Sequence, residues 1–311
     1  MKKEQAYDLI IIGAGPAGLS ASIYASRYGV KHVIIGALSG GQISQTHLID
    51  NYPGMEDMTG MEFAKKWVNH AKKYGTEIIP ALVKSIKKEE NSFLLSLENE
   101  EMLKAKTVIL ATGVKEKKLN ITGEKDFIGR GISYCATCDG YFYKDKIAAV
   151  VGGGNSAAGA AMFLANICQK VYLIIRKKEM RAEPYWQEAI KKDGRIKIIN
   201  ETNVMEILGK EKVEKIKLDK EYKGESELET DGLFIEVGAG PFINYADGLD
   251  LETDEEGYIK IQKTGATSVQ GIWAAGDITD GSDKFRQVIT SASEGAIAAR
   301  NVFNLLKKNS L

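Results

Sequence analysis

Continuous apolar runs, rather than alternating ones, open both halves of the chain. Leu9-Ile10-Ile11-Ile12 and Ile147-Ala148-Ala149-Val150-Val151 each run straight into a glycine cluster and then into a stretch of small residues. No charged residue occurs from Leu9 to Ser26, or from Ile147 to Gln169. A short run rich in β-branched residues and bounded by glycine predicts a strand covered on both faces, the environment of a parallel sheet. The pattern therefore predicts strands at Asp8–Ile12 and Ile147–Val151, a helix after each, and second strands at Val30–Ile35 and Val171–Ile175. This strand–helix–strand unit, met twice, is the opening of a dinucleotide-binding fold. Hydropathy alone would allow the second uncharged stretch to span a membrane. Gly152-Gly153-Gly154-Asn155-Ser156 inside it argues instead for a buried strand–turn–helix.

Two more apolar runs end at glycine, Thr107–Gly113 and Gly271–Asp277. Residues Gln287 to Leu306 then carry the small and apolar face of a long helix. The charged, alternating segments Ser85–Leu103 and Val213–Leu233 predict half-buried antiparallel strands. Lys115-Glu116-Lys117-Lys118 reads as a solvated linker, and a second linker is expected near Tyr245–Gly248. The distance from the first glycine cluster to Gly276-Asp277 makes the first domain discontinuous. The expected architecture is α/β, with two Rossmann-like dinucleotide-binding domains, the second (residues 117–245) inserted into the first (residues 1–116 and 246–311).

Composition narrows the partners. In 311 residues, 42 Lys+Arg balance 42 Asp+Glu, so there is no basic footprint for nucleic acid and no general attraction to an anionic membrane. Apolar content of 44% is that of a globular protein. Met1-Lys2-Lys3-Glu4-Gln5 leads into the first strand without the apolar region and cleavage site of a secretory leader. Three cysteines are too few for a disulfide-stapled secreted fold. The expectation is a cytoplasmic protein with one special cysteine pair.

Gly13-Ala14-Gly15-Pro16-Ala17-Gly18 has the form in which one glycine makes the tight turn, one admits a pyrophosphate against the backbone and one lets helix pack on strand. The acid expected at the end of the second strand, for a ribose hydroxyl, is replaced by Gly36. The second fingerprint, Gly152-Gly153-Gly154-Asn155-Ser156-Ala157, is followed at its strand end by Arg176-Lys177-Lys178 and Arg181. Basic residues there suit a 2′-phosphate and so NADP rather than NAD; the alternative is a solvated charge run at a strand end.

Cys135-Ala136-Thr137-Cys138-Asp139 carries the sharpest signal. A C-x-x-C pair outside a secreted fold is redox-active or binds metal. Structural zinc needs four ligands, whereas the only other candidates are Cys168 and His32, His47 and His70, all remote in sequence. No metal is therefore expected. A redox pair needs a thiolate and a proton source for the leaving sulfur. Asp139 is placed to be that source, unless it is simply a solvated turn residue before Gly140. Cys168, among Leu164, Ala165 and Ile167 in a predicted helix, reads as a small core hydrophobe, and Trp67, Trp186 and Trp273 as core or interface residues.

Taken together, Gly13–Gly18, Gly40-Gly41-Gln42, Asn51-Tyr52-Pro53-Gly54, Ala111-Thr112-Gly113, Ser133–Gly140, Gly152–Ala157, Ala274-Ala275-Gly276-Asp277 and Arg286-Gln287 resemble the low-molecular-weight, bacterial-type thioredoxin reductases, in order and over nearly the whole chain. The resemblance implies a homodimer that passes electrons from NADPH through FAD and a Cys135–Cys138 disulfide to thioredoxin. It implies FAD contacts from Gly13, Gly15, Ala17, Gly41, Gln42, Asn51, Ala111, Gly113, Asp277, Arg286 and Gln287. For NADPH it implies Gly154, Asn155, Ser156, Arg176, Lys177 and Arg181. Cys138 would lie nearest the flavin, Cys135 would attack thioredoxin, and Asp139 would handle the proton. Departures from the family cluster in the second domain: Ile175-Arg176-Lys177 for a histidine and two arginines, Gly159-Ala160 for glutamates, and Phe242-Ile243 after Pro241. They leave open a relative fed by reduced ferredoxin or another donor. Two further alternatives are a non-catalytic flavin-binding protein with a zinc half-site and a ferredoxin–NADP reductase of similar fold.

Overall fold

A computed structural model describes residues 5–46 and 49–308. Met1–Glu4, on which part of the leader reading rests, and His47 lie outside the described residues. Two units result: residues 1–115 with 240–311, and residues 116–239.

In the first unit the strand Gln5–Ile12 pairs in parallel with His32–Ile35 on one side and Met102–Leu110 on the other, and Glu77–Ile79 extends the sheet beyond His32–Ile35. Met102–Leu110 shares its other edge between two partners. Its beginning takes Phe93–Leu97 antiparallel, which pairs in turn with Val83–Lys88, while Val108, Ile109 and Leu110 take Ile272–Ala274 in parallel. Leu9, Ile10 and Ile11 are fully buried, as their continuous run requires. The helices Pro16–Arg27 and Val288–Lys308 cross so closely that a Cβ on Gly295 would lie 2.1 Å from the Ala17 carbonyl oxygen. Ser20 Oγ donates to the Ala292 carbonyl there, at 2.7 Å.

In the second unit the parallel strands run in the order Ile196–Ile199, Lys170–Ile174, Ile147–Val151, Gly232–Ile235, Ile132–Ser133. A separate antiparallel sheet holds Val204–Gly209, Val213–Tyr222 and Glu225–Glu229. The alternating segment expected at Val213–Leu233 therefore stops short: Leu233 belongs to the parallel strand Gly232–Ile235, buried throughout. Cys168 follows rather than occupies the helix Asn155–Ala165, and is buried. Burial pushes its thiol up to about 11, consistent with a packing role.

Both expected linkers differ from the structure. Val114–Glu116 pairs with Ala239–Pro241 as a two-stranded ribbon where the chain passes between the units, so Lys115 and Glu116 are strand residues. The segment expected as the second linker is the 3-10 turn Asn244–Leu249 of the first unit. Tyr245, Ala246 and Leu249 are buried in that unit's core, and Tyr245 Oη bonds Thr112 Oγ1 at 2.8 Å. The division accordingly falls at 239/240 rather than near 245.

One buried polar chain in the first unit links Thr76, Ser22 and His32. Ser22 Oγ lies 2.6 Å from Thr76 Oγ1 and 2.8 Å from His32 Nε2, and His32 Nδ1 lies 2.9 Å from the Val30 carbonyl. A carbonyl only accepts, so the neutral ring carries its proton on Nδ1 and accepts from Ser22. Burial holds His32 below its ordinary 6.5, against the Val30 hydrogen bond. Its contribution to stability is complete above 6.5 and is lost as pH falls from there through the folded value. Glu236, in the second unit, works in the opposite sense. Burial, then the nearby Glu116 carboxylate, pushes it up to about 7, so its contribution is lost as pH rises from 4.5 toward 7. His32→Gln should therefore lose less of its urea midpoint between pH 7 and pH 5 than the unaltered protein does, with Glu236 common to both. Parallel curves for the two proteins would refute this.

Candidate functional site

The glycine turn of the first unit is built by close approach. Gly13, at φ +114, donates its N–H to the Ile35 carbonyl at 2.7 Å, and a Cβ on it would meet the Ala111 carbonyl oxygen at 2.1 Å. Gly15 and Gly41 face one another; a Cβ on Gly41 would lie 2.7 Å from the Gly15 Cα, whereas one on Gly15 would meet only the Gly41 Cα, at 3.8 Å. Gly36 explains the missing ribose acid: a Cβ there would be 2.7 Å from the Ala14 nitrogen, so this backbone admits no carboxylate at that point. Ala17 packs beneath Gly276, whose Cβ would lie 2.9 Å from the Ala17 Cβ. Asp277 accepts from Ser291 Oγ at 2.9 Å; burial raises its pKa, while Ser291 and Arg286 pull it down. Asn51 Nδ2 donates to Gln287 Oε1 at 2.9 Å, just before the helix Val288–Lys308. Gln42 Nε2 donates at 2.5 Å to the carbonyl of Val114, the residue after Gly113. Arg286 lies over the Tyr258 ring, 4.4 Å from its centroid, and its buried Nε has no hydrogen-bond partner among the described residues. All eleven residues expected at a flavin thus fall in this one unit, and several touch.

The second unit repeats the design. A Cβ on Gly152 would lie 2.1 Å from the Glu236 carbonyl oxygen, while one on Gly154 would meet open space. Asn155 and Ser156 start the helix Asn155–Ala165 and are exposed. Arg176, Lys177, Lys178 and Arg181 are exposed as well, and among the described residues none of them makes an ion pair. Gly159 is no close-approach glycine: a Cβ there would meet the Trp186 ring at 3.9 Å, an ordinary contact.

Cys135 and Cys138 form a disulfide. Cys135 ends the approach from the strand Ile132–Ser133, and Cys138 lies in the single helical turn Ala136–Asp139. Ser133 Oγ brackets Cys135, accepting from its N–H at 3.0 Å and donating to its carbonyl at 3.1 Å. The Cys138 N–H points at Cys135 Sγ, 3.2 Å away. Cys138 is exposed; Cys135 and Asp139 are half-buried. Tyr141 and Phe142, just beyond, are 70% and 74% exposed. Among the described residues no cluster of three or more His, Cys, Asp or Glu side chains could hold a metal ion.

Three supporting carboxylates are absent from the sequence reading. Glu294 accepts from the Gly276 N–H, Thr279 Oγ1 and Ser282 Oγ, at 2.8, 3.0 and 2.6 Å, and so fixes the loop that carries Asp277. Glu124, only 2% exposed, accepts from the Leu119 and Asn120 N–H groups and from Tyr134 Oη at 2.7 Å, which ties down the residue before Cys135. Glu183 bonds Asn155. Each pairing spans residues remote in sequence or leaves no periodic trace; a lone acid near a glycine turn was the only signal.

Residues 7–295 match the pyridine nucleotide-disulphide oxidoreductase family. The chain is 39% identical over 305 residues to the thioredoxin reductase of Bacillus subtilis (strain 168), covering 97% of this chain and 95% of that protein. It belongs to the thioredoxin reductase branch of that family. The thioredoxin reductase of Helicobacter pylori (strain J99 / ATCC 700824) is 39% identical over 311 residues, 96% of this chain and 99% of that protein. The crystal structure of Lactococcus lactis thioredoxin reductase superposes with a TM-score of 0.92 at 33% identity, over 97% of this chain and 99% of that one. Membership of the pyridine nucleotide-disulphide oxidoreductases makes this a redox enzyme that binds a flavin and a pyridine nucleotide. The first unit fits the flavin on its own evidence: a glycine cradle open at Gly15, a half-buried Asp277 carboxyl and the orphaned Arg286 Nε.

Proposed function

We propose that this enzyme draws electrons from NADPH and delivers them, through FAD and the Cys135–Cys138 pair, to the disulfide of thioredoxin or a thioredoxin-like protein. The observation that carries the reading is the Cys135–Cys138 disulfide beside exposed aromatic residues, in a chain that also holds two dinucleotide fingerprints. FAD, when bound, supplies the relay between a two-electron hydride donor and a disulfide. Gly13, Gly15, Ala17, Gly41, Ala111 and Gly113 would shape its backbone cradle. Gln42, Asn51, Asp277, Arg286 and Gln287 would be its polar contacts, and the Val288–Lys308 helix start would favour negative charge nearby. Gly154, Asn155, Ser156, Arg176, Lys177 and Arg181 would hold NADPH, the cations taking the 2′-phosphate.

Two electrons and one proton convert the Cys135–Cys138 disulfide into a Cys135 thiolate and a Cys138 thiol. Cys135 is then the attacking thiolate, because the Cys138 N–H already points at its sulfur and stabilises charge there. Attack forms a Cys135–partner mixed disulfide and releases one partner thiol. Cys138 next displaces the second, re-forming the Cys135–Cys138 bond. Asp139 holds the proton that the departing sulfur takes up. Tyr141 and Phe142 give the partner an apolar landing beside the sulfurs. The enzyme works as a homodimer in the cytoplasm, whose reducing conditions keep a dithiol couple cycling.

Anaerobic stopped-flow mixing of the oxidised enzyme with NADPH, and separately with NADH, tests the donor. Fast flavin bleaching by NADPH alone is expected. The double variant Arg176→Ala/Arg181→Ala should raise the NADPH KM about ten-fold or more and leave NADH little changed. A flavin that stays oxidised with both dinucleotides, yet bleaches with a low-potential protein donor, would overturn the NADPH assignment.

A further inference from the structure

The basic segment after the second fingerprint does not hang free. It leaves the strand Lys170–Ile174 and returns to the glycine turn, where the Gly153 carbonyl accepts from the N–H groups of Arg181 and Ala182 at 2.6 and 3.0 Å. One residue on, a reciprocal pair closes the return. Asn155 Nδ2 donates to Glu183 Oε1 at 2.9 Å, and the Glu183 N–H donates to Asn155 Oδ1 at 2.8 Å. Behind it, Gln187 Nε2 donates to the Ala182 carbonyl at 2.7 Å. Arg181 therefore sits between two fixed points, and the chain from Arg176 to Arg181 is a loop held at both ends.

We propose that Glu183 is a positioning residue for the choice of dinucleotide: with Asn155 it clamps the basic segment to the fingerprint turn, so that Arg176 and Arg181 stand ready where a 2′-phosphate is to be bound. The inference rests on the NADPH reading above. Exposed arginine side chains lose rotamer freedom when they bind a phosphate, and a loop already anchored leaves less to be lost. Glu183 serves as an acceptor. Its carboxylate would repel a phosphate if it swung free near the same helix start, and the bond to the Asn155 amide keeps it turned to that partner. The Gly153 contacts are backbone bonds and survive substitution at 183, so removing the side chain loosens the clamp without unmaking the turn.

The test uses steady-state and stopped-flow kinetics of the flavin-loaded enzyme. Glu183→Ala should raise the NADPH KM about five-fold with kcat unchanged, and leave the KM for NADH as it was, so that the preference between the two shrinks by that factor. Glu183→Gln keeps an acceptor oxygen for Asn155 Nδ2 and should retain the preference. A wild-type enzyme that prefers NADPH, combined with a Glu183→Ala variant of equal preference, overturns the clamp. So does a Glu183→Gln variant as impaired as Glu183→Ala, since charge rather than the Asn155 bond would then be at work. If wild type and Arg176→Ala/Arg181→Ala treat both dinucleotides alike, the NADPH reading itself has failed, and the clamp falls with it for that separate reason.

Discussion

Cys135→Ser is expected to cut thioredoxin reduction by at least about a thousand-fold while NADPH still bleaches the flavin. A serine hydroxyl neither ionises near neutral pH nor forms a bond to sulfur that a second thiol can displace, so both exchange steps are lost together. The substitution should be quiet for folding, because the bonds that fix residue 135 run from Ser133 Oγ to its backbone N–H and carbonyl. Cys138→Ser separates the two roles. It leaves the attacking sulfur but removes the one that resolves the intermediate, so a stable mixed disulfide with thioredoxin should appear on a non-reducing gel. Undiminished turnover in Cys135→Ser would mean that electrons leave the flavin without the dithiol, as in a reductase that needs no cysteine pair.

Gly15→Val should yield a folded protein that purifies without its yellow colour. Gly15 has extended backbone, φ −83 and ψ −172, which any residue adopts, and its Cβ would meet nothing nearer than the Gly41 Cα at 3.8 Å. The added side chain costs the fold little and fills the space through which a pyrophosphate reaches the helix start. Flavin affinity should fall about a hundred-fold or more, the equivalent of losing some 3 kcal/mol of backbone contact. Gly13→Val is the contrasting control, since its positive φ and the 2.1 Å approach to the Ala111 carbonyl penalise the fold itself. Full flavin content in Gly15→Val, read as absorbance at the flavin band against protein, would contradict the assignment of this turn.

The two glycine turns, Gly13–Gly18 and Gly152–Ala157, were legible in sequence because their chemistry is local: the glycines, the strand before and the helix after all lie within a few residues. The C-x-x-C pair was legible for the same reason. The unit boundary near 245 was not. Tyr245 and Leu249 lie in a turn of mixed polarity, and only the packing of the first unit's core reveals that they are buried. Val114–Glu116 misled in the opposite direction, since an edge ribbon tolerates Lys115 and Glu116 that a central strand would exclude. Glu294, Glu124 and Glu183 escaped because what marks them is the donors they meet, and those donors are brought by folding. Gly36 stands in the sequence only as a missing acid, and the nearness of Ala14 is what excludes a side chain there.

The shared edge of Met102–Leu110 has a consequence for synthesis. Val108, Ile109 and Leu110 are fully buried, yet the strand that pairs with them, Ile272–Ala274, leaves the ribosome only after residues 111–271 have been made. At about 5–20 residues per second, that interval is roughly ten seconds or more. Throughout it the nascent first unit carries an open apolar strand edge, whereas the second unit, continuous in the chain, can complete its own sheet. The unit begun second therefore matures before the one begun first, and the unfilled edge is where a nascent-chain chaperone has most to protect.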